Sequence, residues 1–184
     1  MKFSIIDLEW TSWKNSLERN YSFEWEFQEI IQIGTIKFFS NEKGFKSKNI
    51  LVKPNKNKIL SNYIQRLTGI TQREIMDYGM NFKDASNILE IFFLDVDIIL
   101  CNGLDKEILK KNYIMNNLLP KNFVKKIFNT RPFISKKLKI DETKIVSGEL
   151  NEKINMKSLK KHDALMDCIN IYNFLYKYNY FNIK

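Results

Sequence analysis

Stretches of hydrophobic residues separated by polar turns predict three strands in the first third of the chain. Lys2 to Trp10 is largely apolar on both faces, which is typical of a buried central strand. Glu29 to Phe39 and Phe45 to Lys53 predict the second and third strands, and Ser40 to Gly44 predicts the polar turn between them. These three strands are expected to form an antiparallel meander.

Helical spacing of apolar residues takes over after the third strand. It predicts a helix near Ile59 to Leu67 and an amphipathic helix from Phe82 to Phe93. Between them, Thr71-Gln72-Arg73-Glu74 has the form of a capping box for a short helix. Val96 to Cys101 then predicts a short apolar strand, and the spacing that begins at Leu104 predicts the next helix.

The pattern weakens before the last helix. Asn122 to Phe128 is weakly helical, Arg131 to Lys139 fits no single element, and Asp141 to Asn155 is polar, which predicts a loop. A clear apolar stripe then predicts a helix from Asp163 to about Tyr178. Strands followed by alternating helices and strands predict an α/β fold, with a mixed sheet flanked by helices, in a single domain over 1–184.

A strongly basic composition favours a polyanionic partner. The net charge is +9 and the pI is about 9.4, so nucleic acid is the first candidate. The chain is also rich in Lys, Asn and Ile, a composition that an AT-rich coding sequence produces without any binding function. The charge alone therefore leaves nucleic-acid binding open.

Other features of the sequence favour an intracellular protein. No apolar run approaches the roughly 20 residues that a membrane span requires, and Met1 leads into a strand pattern instead of a cleavable signal segment. The two cysteines, Cys101 and Cys168, lack any metal-binding spacing. We therefore expect a reduced, cytoplasmic location and no membrane partner.

Five residues carry the candidate chemistry: Asp7, Glu9, Asp105, His162 and Asp167. Four are carboxylates, and His162 is the only histidine in the chain. Buried carboxylates repel one another and lose their hydration, so they need a compensating charge. A pair of divalent cations would supply that charge, which makes phosphodiester hydrolysis the leading hypothesis.

The carboxylates of the first two elements also have structural alternatives. Asp7 and Glu9 are two apart on a strand, so they share a face, and they would be ordinary edge residues if that face met water. Asp105 lies just past the end of an apolar strand, at the start of a helix. That position suits a ligand, and it suits a helix N-cap equally well.

The last helix raises a choice between two aspartates. His162 and Asp167 are five residues apart, which on one helix would place them about 140° apart. His162 is therefore expected in the loop before the helix, from where it can reach the face of Asp167. Asp163 is expected to cap or open the helix. Because Asp163 shares a helix face with Asp167, it is a rival ligand of second rank.

Together these motifs resemble the DEDDh 3′-to-5′ exonucleases, a ribonuclease-H-like family that includes the DnaQ proofreading subunits. The motifs are Ile5-Ile6-Asp7-Leu8-Glu9-Trp10-Thr11, Cys101-Asn102-Gly103-Leu104-Asp105 and His162-Asp163-Ala164-Leu165-Met166-Asp167. Leu67-Thr68-Gly69-Ile70, preceded by Glu29-Ile30-Ile31-Gln32-Ile33-Gly34, resembles the Eri/KapD branch, whose members mainly degrade or trim RNA. The resemblance covers nearly the whole chain. It departs from many relatives at Cys101 and in the short polar stretch before His162.

The resemblance implies a ribonuclease-H-like fold and two bound ions, Mg²⁺ or Mn²⁺. Asp7, Glu9 and Asp167 would hold one ion, and Asp7 with Asp105 would hold the second. His162 would act as the general base, since an imidazole titrates near neutral pH. The product would be a nucleoside 5′-monophosphate released from the 3′ end.

Recognition of that end is assigned to four further residues. Trp10, Thr11, Leu67 and Ile70 are candidates for stacking and apolar contact with the terminal base and ribose, although Trp10 could equally pack in the core. RNA is favoured over DNA as the nucleic-acid partner, and single strands over duplex. The alternatives are a DnaQ-like proofreading exodeoxyribonuclease, an oligoribonuclease-like enzyme and a nucleic-acid-binding module without turnover.

Overall fold

A five-stranded mixed sheet forms the centre of the protein in a computed structural model, which describes residues 1–40 and 44–181. The strands are β1 (Lys2–Trp10), β2 (Ile30–Phe39), β3 (Lys46–Leu51), β4 (Ile98–Cys101) and β5 (Ile127–Asn129). Their spatial order is β3-β2-β1-β4-β5. The strand β1 is therefore central, as its apolar faces predict.

Strand direction changes across β1. The pairs β1–β2 and β2–β3 are antiparallel, and β1–β4 and β4–β5 are parallel. In the β1–β2 pair, Asp7 lies opposite Gly34. The predicted meander and mixed sheet are thus confirmed, while residues 41–43 of the predicted Ser40–Gly44 turn lie outside the described residues.

Seven α-helices connect and cover these strands within residues 1–40 and 44–181. They are α1 (Asn62–Thr68), α2 (Gln72–Tyr78), α3 (Phe82–Phe92), α4 (Asp105–Met115), α5 (Arg131–Leu138), α6 (Leu150–Lys153) and α7 (Ala164–Lys177). The predicted capping box is present, because the Thr71 and Glu74 side chains each accept a hydrogen bond from the other residue's backbone N–H. Among the described helices, none has the length and apolar character that crossing a membrane requires.

The region between α4 and α7 differs most from the prediction. The weak helical pattern of Asn122 to Phe128 is a 3-10 turn followed by β5, a strand of three residues that is too short to show a period. Arg131 to Lys139 is largely the helix α5, which has a proline in its first turn. The loop predicted over Asp141 to Asn155 is wrong, since it contains two 3-10 turns and α6.

Helices pack on both faces of the sheet. On one face, Ile6 and Leu8 of β1 join a core formed with α3 and α4. On the other, Phe3 and Ile5 join a core formed with α7. The two sets of β1 side chains alternate because successive strand residues point to opposite faces. Asp7 and Glu9 continue the row of Phe3 and Ile5, so they point towards α7.

The helix α7 approaches the sheet unusually closely at Gly34. A Cβ atom placed on Gly34 would lie 2.1 Å from the backbone carbon of Ala164, a separation that real atoms do not adopt. The Cys168 thiol lies 3.3 Å from the Gly34 carbonyl oxygen, and the Ala164 N–H donates to Gln32 Oε1 at 3.1 Å. The glycine therefore allows the first turn of α7 to lie directly on β2, beside Asp7.

We predict that Gly34→Ala destabilises the protein by at least about 3 kcal/mol, because the methyl group can be accommodated only by moving α7. Urea or thermal denaturation followed by circular dichroism measures the change. Lys48→Ala, on the exposed part of β3, is the control and should stay within about 0.5 kcal/mol of the parent protein. Equal stability of the Gly34→Ala variant and the parent would contradict the close approach.

Candidate active site

The first two candidate residues lie on the central strand. Asp7 and Glu9 are both buried and both point to the α7 face of β1. The alternative that they are edge residues facing water is therefore wrong. Their backbone is held by the antiparallel pairing of Asp7 with Gly34 and of Glu9 with Gln32 on β2.

Asp105 reaches this strand from the helix α4. It is the first residue of the helix, but it does not act as the N-cap, a position held by Leu104 without any side-chain hydrogen bond. Instead the Asp105 carboxylate accepts a hydrogen bond of 3.0 Å from the backbone N–H of Leu8. The N-cap alternative is therefore wrong, and Asp105 is a buried carboxylate attached to β1 between Asp7 and Glu9.

The start of α7 separates the roles of its two aspartates. Asp163 is the N-cap, and its carboxylate accepts hydrogen bonds from the N–H groups of Leu165 and Met166 at 3.2 and 3.3 Å. Asp167, one turn later, is buried, and one of its carboxylate oxygens lies within 4.8 Å of oxygens of Asp7 and Glu9. This arrangement favours Asp167 over Asp163 as the metal ligand.

His162 lies in the loop immediately before the Asp163 cap, as the spacing predicts. Its backbone adopts a left-handed conformation with φ of 55°, which turns the chain sharply into α7. The imidazole is half-buried and, within residues 1–40 and 44–181, makes no hydrogen bond. Burial, followed by the charge of Lys161, lowers the pKa of His162, so the ring is neutral at pH 7.

Three carboxylates converge on one point. One oxygen atom each from Asp7, Glu9 and Asp167 can be chosen so that all lie within 4.8 Å of one another. Across the described residues, no lysine or arginine forms an ion pair with these three carboxylates or with Asp105. The mutual repulsion of these carboxylates and the free-energy cost of their burial are therefore not offset by an ion pair.

That repulsion appears as a strong preference of the carboxyl groups for protons. Burial, then the charges of Asp105 and Asp167, raises the pKa of Asp7 well above its ordinary value. Burial and neighbouring carboxylates also raise the pKa of Glu9 to about 8. Burial is the main cause that raises the pKa of Asp167 to about 7 and the pKa of Asp105 to about 6.

The donor set fits divalent metal ions. The three converging side chains and the neighbouring Asp105 all offer carboxylate oxygens, which are the ligands that Mg²⁺ and Mn²⁺ prefer. A cation would also replace the protons that these buried groups otherwise retain. The residues that could hold a metal are therefore Asp7, Glu9, Asp105 and Asp167, and Cys168 is excluded because its thiol packs against the sheet backbone.

A polar network that the sequence analysis missed supports Asp7. The Ser147 hydroxyl lies near the Asp7 carboxylate, where it partly offsets the rise in the pKa of Asp7. Asn102 Nδ2 donates to Ser147 Oγ at 2.9 Å, and Arg131 Nη2 donates to the Asn102 backbone oxygen at 2.9 Å. Ser147 lies in the stretch predicted as loop, so its position near β1 has no periodic signal in the sequence.

A second missed residue supports Asp167. Asn170 Nδ2 donates to Asp167 Oδ1 at 3.2 Å, while Asn170 Oδ1 is buried and has no partner in the described part of the chain. The two residues are three apart on α7, the spacing at which helix side chains meet. That spacing is the signal from which the contact could have been predicted.

The four predicted substrate-binding residues lie near the site, but in different environments. Trp10 is half-buried and its Nε1 donates to the Tyr21 hydroxyl at 2.9 Å. Thr11 is 1% exposed, and its hydroxyl bonds to the Phe27 carbonyl and accepts from the Glu29 N–H. Their contact with substrate stays a prediction.

Leu67 and Ile70 flank the turn after α1. Leu67 is half-buried, and Ile70 is 6% exposed and packs with Leu60 and Ile64. A Cβ atom on Gly69 would lie 3.2 Å from Nζ of Lys160, which precedes His162 by two residues. The turn therefore lies beside the histidine loop, although Ile70 exposes little of its side chain there.

The family of the chain follows from a comparison of its sequence with family models. The RNase_T exonuclease model matches residues 4–175, which is most of the chain. No curated protein matches the chain in sequence.

Solved structures show the same fold. The nuclease domain of 3′hExo, a DEDDh family member solved with bound rAMP, has a TM-score of 0.84 at 20% identity over 98% of this chain and 92% of its own. Cell-death related nuclease 4 (CRN-4) gives 0.79 at 20% identity over 98% and 64%. E. coli exonuclease I in complex with a dT13 oligonucleotide gives 0.68 at 14% identity over 97% and 43%.

The chain therefore belongs to the RNase_T exonuclease family. The family match confirms that the chain is of the predicted exonuclease class, and the solved structures confirm the predicted fold, a mixed sheet flanked by helices.

We predict that the metal-free protein loses stability as pH rises from about 4 to about 8. Unfolded carboxyl groups have a pKa near 4, whereas the pKa of Glu9 is about 8 and that of Asp167 about 7 in the folded state. The folded state thus binds more protons in this window, and the free energy of unfolding falls as they are lost. Added Mn²⁺ should restore stability at pH 8.

Melting temperatures in excess chelator test this prediction. Asp7→Asn removes one buried charge, so it should melt at least about 3 °C above the parent at pH 8, the shift that roughly 1 kcal/mol produces in a domain of this size. The gap should shrink at pH 5 and disappear or reverse with Mn²⁺. A parent protein that is unaffected by Mn²⁺ at pH 8 would show that the carboxylates do not form a metal site.

Proposed function

We propose that this protein is a metal-dependent 3′-to-5′ exonuclease that degrades single-stranded RNA to nucleoside 5′-monophosphates. The observation that carries the proposal is the convergence of the buried carboxylates of Asp7, Glu9 and Asp167, with buried Asp105 on the same strand and no ion pair to any of them among the described residues. A neutral histidine lies in the loop directly before α7. Such a cluster is costly unless cations compensate it, and a cation site next to a general base suits phosphodiester hydrolysis.

Two ions, Mg²⁺ or Mn²⁺, fit the four carboxylates. Asp7, Glu9 and Asp167 would hold one ion, and Asp7 with Asp105 would hold the other. When bound, such ions polarise water and stabilise the charge that develops on a phosphate. Asn170 would keep Asp167 oriented, because it donates to a carboxylate oxygen of that residue. Ser147, whose hydroxyl lies near Asp7 and acts to lower its pKa, would support Asp7 in the same way.

His162 would move the proton. Its imidazole is neutral near pH 7 and belongs to the loop that leads into α7, so it would accept a proton from the attacking water. The oxygen of that water forms a bond to the terminal phosphorus as the bond to the 3′ oxygen of the preceding nucleotide breaks. The products are a nucleoside 5′-monophosphate and a strand with a new 3′ hydroxyl.

The RNA preference rests on the Leu67-Thr68-Gly69-Ile70 turn, which resembles the Eri/KapD branch. A structural neighbour at 21% identity is a 3′-exonuclease that recognises the 3′ end of a histone mRNA stem-loop, which supports the proposal. The turn lies beside the histidine loop. Trp10, Thr11, Leu67 and Ile70 would then contact the terminal nucleotide, with Trp10 and Leu67 offering the more accessible side chains.

We also propose that 1–184 acts as one domain in a reducing, cytoplasmic compartment. One sheet organises the strands of the described residues, and both cysteines are buried and unpaired. Thiols of this kind fit a compartment in which disulfides do not form.

Cleavage of end-labelled RNA tests the function. We expect the parent protein to shorten RNA from a free 3′ end in Mg²⁺ or Mn²⁺, to stop in excess chelator and to spare 3′-blocked RNA. Asp7→Asn should lower kcat/KM by at least roughly 10³-fold, since it removes a ligand shared by both ions. Asp163→Asn keeps a capping side chain, so it should cost less than about tenfold.

Substrate comparison separates the related activities. Rates on single-stranded RNA, single-stranded DNA and dinucleotides distinguish an RNA exonuclease from a proofreading or oligoribonuclease-like enzyme. Cleavage that persists in chelator would refute the metal mechanism. Salt-sensitive RNA binding without hydrolysis in either metal would identify a module without turnover.

The histidine predicts a particular pH dependence. His162→Gln should lower kcat/KM by about 10² to 10⁴-fold and remove the acid limb of its pH profile, because the base must be unprotonated. Because burial and the Lys161 charge lower the pKa of His162, that limb lies below the ordinary histidine value, and Lys161→Ala should move it to higher pH. An unchanged acid limb in His162→Gln would assign the base elsewhere.

A further inference from the structure

An exposed aromatic surface lies next to the site and takes no part in the proposed chemistry. In the segment between β1 and β2, Trp13, Phe23 and Trp25 pack together, and we call these three residues the aromatic platform. Phe23 and Trp25 stack with centroids 5.5 Å apart and planes 19° apart, while Trp13 meets Trp25 edge-on at 4.8 Å. Phe23 and Trp25 each remain 50% exposed, as residues of interaction surfaces do.

The platform is held in place by polar contacts beneath it. The Trp13 N–H donates to Ser16 Oγ at 2.9 Å, and that hydroxyl donates to the buried Glu26 carboxylate at 2.8 Å. Arg19 pairs with Glu26, and its guanidinium lies 4.7 Å from the Phe23 ring centroid. The rings are therefore preorganised, so that a flat ligand can stack on them with little loss of conformational entropy.

The platform is within a short reach of the carboxylates. Trp13 follows Glu9 by four residues, so their Cα atoms are at most about 14 Å apart. Ser61 Oγ donates to the Ser12 carbonyl oxygen at 2.5 Å, which joins this segment to the start of α1.

A surface groove continues from the platform along α1. It is lined by Lys14, Tyr63, Arg66 and Leu67. The end of α1 lies beside Lys160, next to the histidine loop. The groove along α1 thus has Lys14, the neighbour of Trp13 in the chain, among its lining residues, and α1 ends beside the histidine loop.

The charges along this surface are suited to phosphates. Lys14 and Arg66 are exposed and, in the part of the chain that the structure describes, neither forms an ion pair. Glu18 and Glu24, which are also exposed, belong to the platform segment itself. A polyanion would therefore follow the α1 side of the groove, with its flat groups turned towards the rings.

We propose that the aromatic platform binds single-stranded nucleic acid upstream of the 3′ end, by stacking its bases on Phe23 and Trp25 while Lys14 and Arg66 contact its phosphates. This inference rests on the proposed function. Aromatic faces beside a basic groove suit unpaired bases, whose faces are free. A duplex hides these faces inside its own stack, so it does not fit. If the platform binds upstream bases, the enzyme should prefer strands long enough to reach from the active site to the platform over very short ones such as dinucleotides.

The double variant Phe23→Ala/Trp25→Ala tests the platform. In an Asp7→Asn background, where cleavage is suppressed, its affinity for a labelled ten-nucleotide single strand should fall at least tenfold, since each stacked base contributes substantially. Tyr78→Ala is the matched control, because Tyr78 is an exposed aromatic residue on α2, outside the groove. Trp25→Phe retains a ring and should retain most of the affinity. Arg66→Ala should reduce the salt dependence of binding by about one phosphate contact.

A catalytic measurement completes the test. In the otherwise unmodified enzyme, the double variant should lower the ratio of kcat/KM for the ten-nucleotide strand to kcat/KM for a dinucleotide at least tenfold.

If the parent cleaves RNA but the double variant changes neither affinity nor this ratio, the inference is overturned and the proposed function stands. If the parent cleaves nothing but the double variant still loses affinity, the platform stands and the proposed function fails. If the double variant only dissociates a dimer, a second copy is the ligand and the inference is overturned.

Discussion

The burial of four like-charged groups against one another is the constraint on which the rest of this structure depends. Asp7 and Glu9 are fixed by the central strand, Asp105 by its hydrogen bond to that strand, and Asp167 by the first turns of α7. The protein supplies partial compensation through backbone N–H groups and the positive end of the α7 dipole. The raised pKa of Glu9, about 8, shows that this compensation is incomplete. The fold therefore leaves negative charge uncompensated at neutral pH, and a bound divalent cation would neutralise that charge better than protons do.

Close packing is what makes that arrangement rigid. Gly34 lets the α7 backbone touch β2 directly opposite Asp7, and the buried Cys168 thiol fills the space between helix and sheet. Apolar cores on both faces of β1 then prevent the strand from tilting to separate the carboxylates. The cost of bringing like charges together is thus offset by packing elsewhere in the domain, which is a common arrangement at active sites.

The sequence predicts the parts of this site that repeat a short, local pattern. Asp7 and Glu9 follow from strand periodicity, and Asp163 as the cap of α7 follows from helix-start preferences; both are observed. Ser147 could not be predicted, because it lies in a stretch without periodicity and is placed near Asp7 by contacts far apart in sequence, such as its hydrogen bond with Asn102. The strand β5 could not be predicted either, because three residues are too few to show an alternating pattern. Its partner strand is also distant in sequence, since Ile127 pairs with Ile99, 28 positions earlier. Local patterns thus predict where candidate ligands such as Asp7 and Glu9 lie, whereas the residues that support them depend on tertiary contacts.

The same electrostatics separates binding of a strand from its cleavage. Charged carboxylates repel a phosphodiester, so a cation-free site at neutral pH disfavours the group it would cleave. Attraction for a polyanion comes from elsewhere, from the net charge of +9 and from exposed cations such as Lys14 and Arg66 along α1. Surface residues can therefore hold a strand by its bases and phosphates before the terminal linkage enters the site. Divalent cations, if bound as proposed, would make the local field positive. The metal would then control where the 3′ end lies, while the surface cations would supply the attraction for the whole strand.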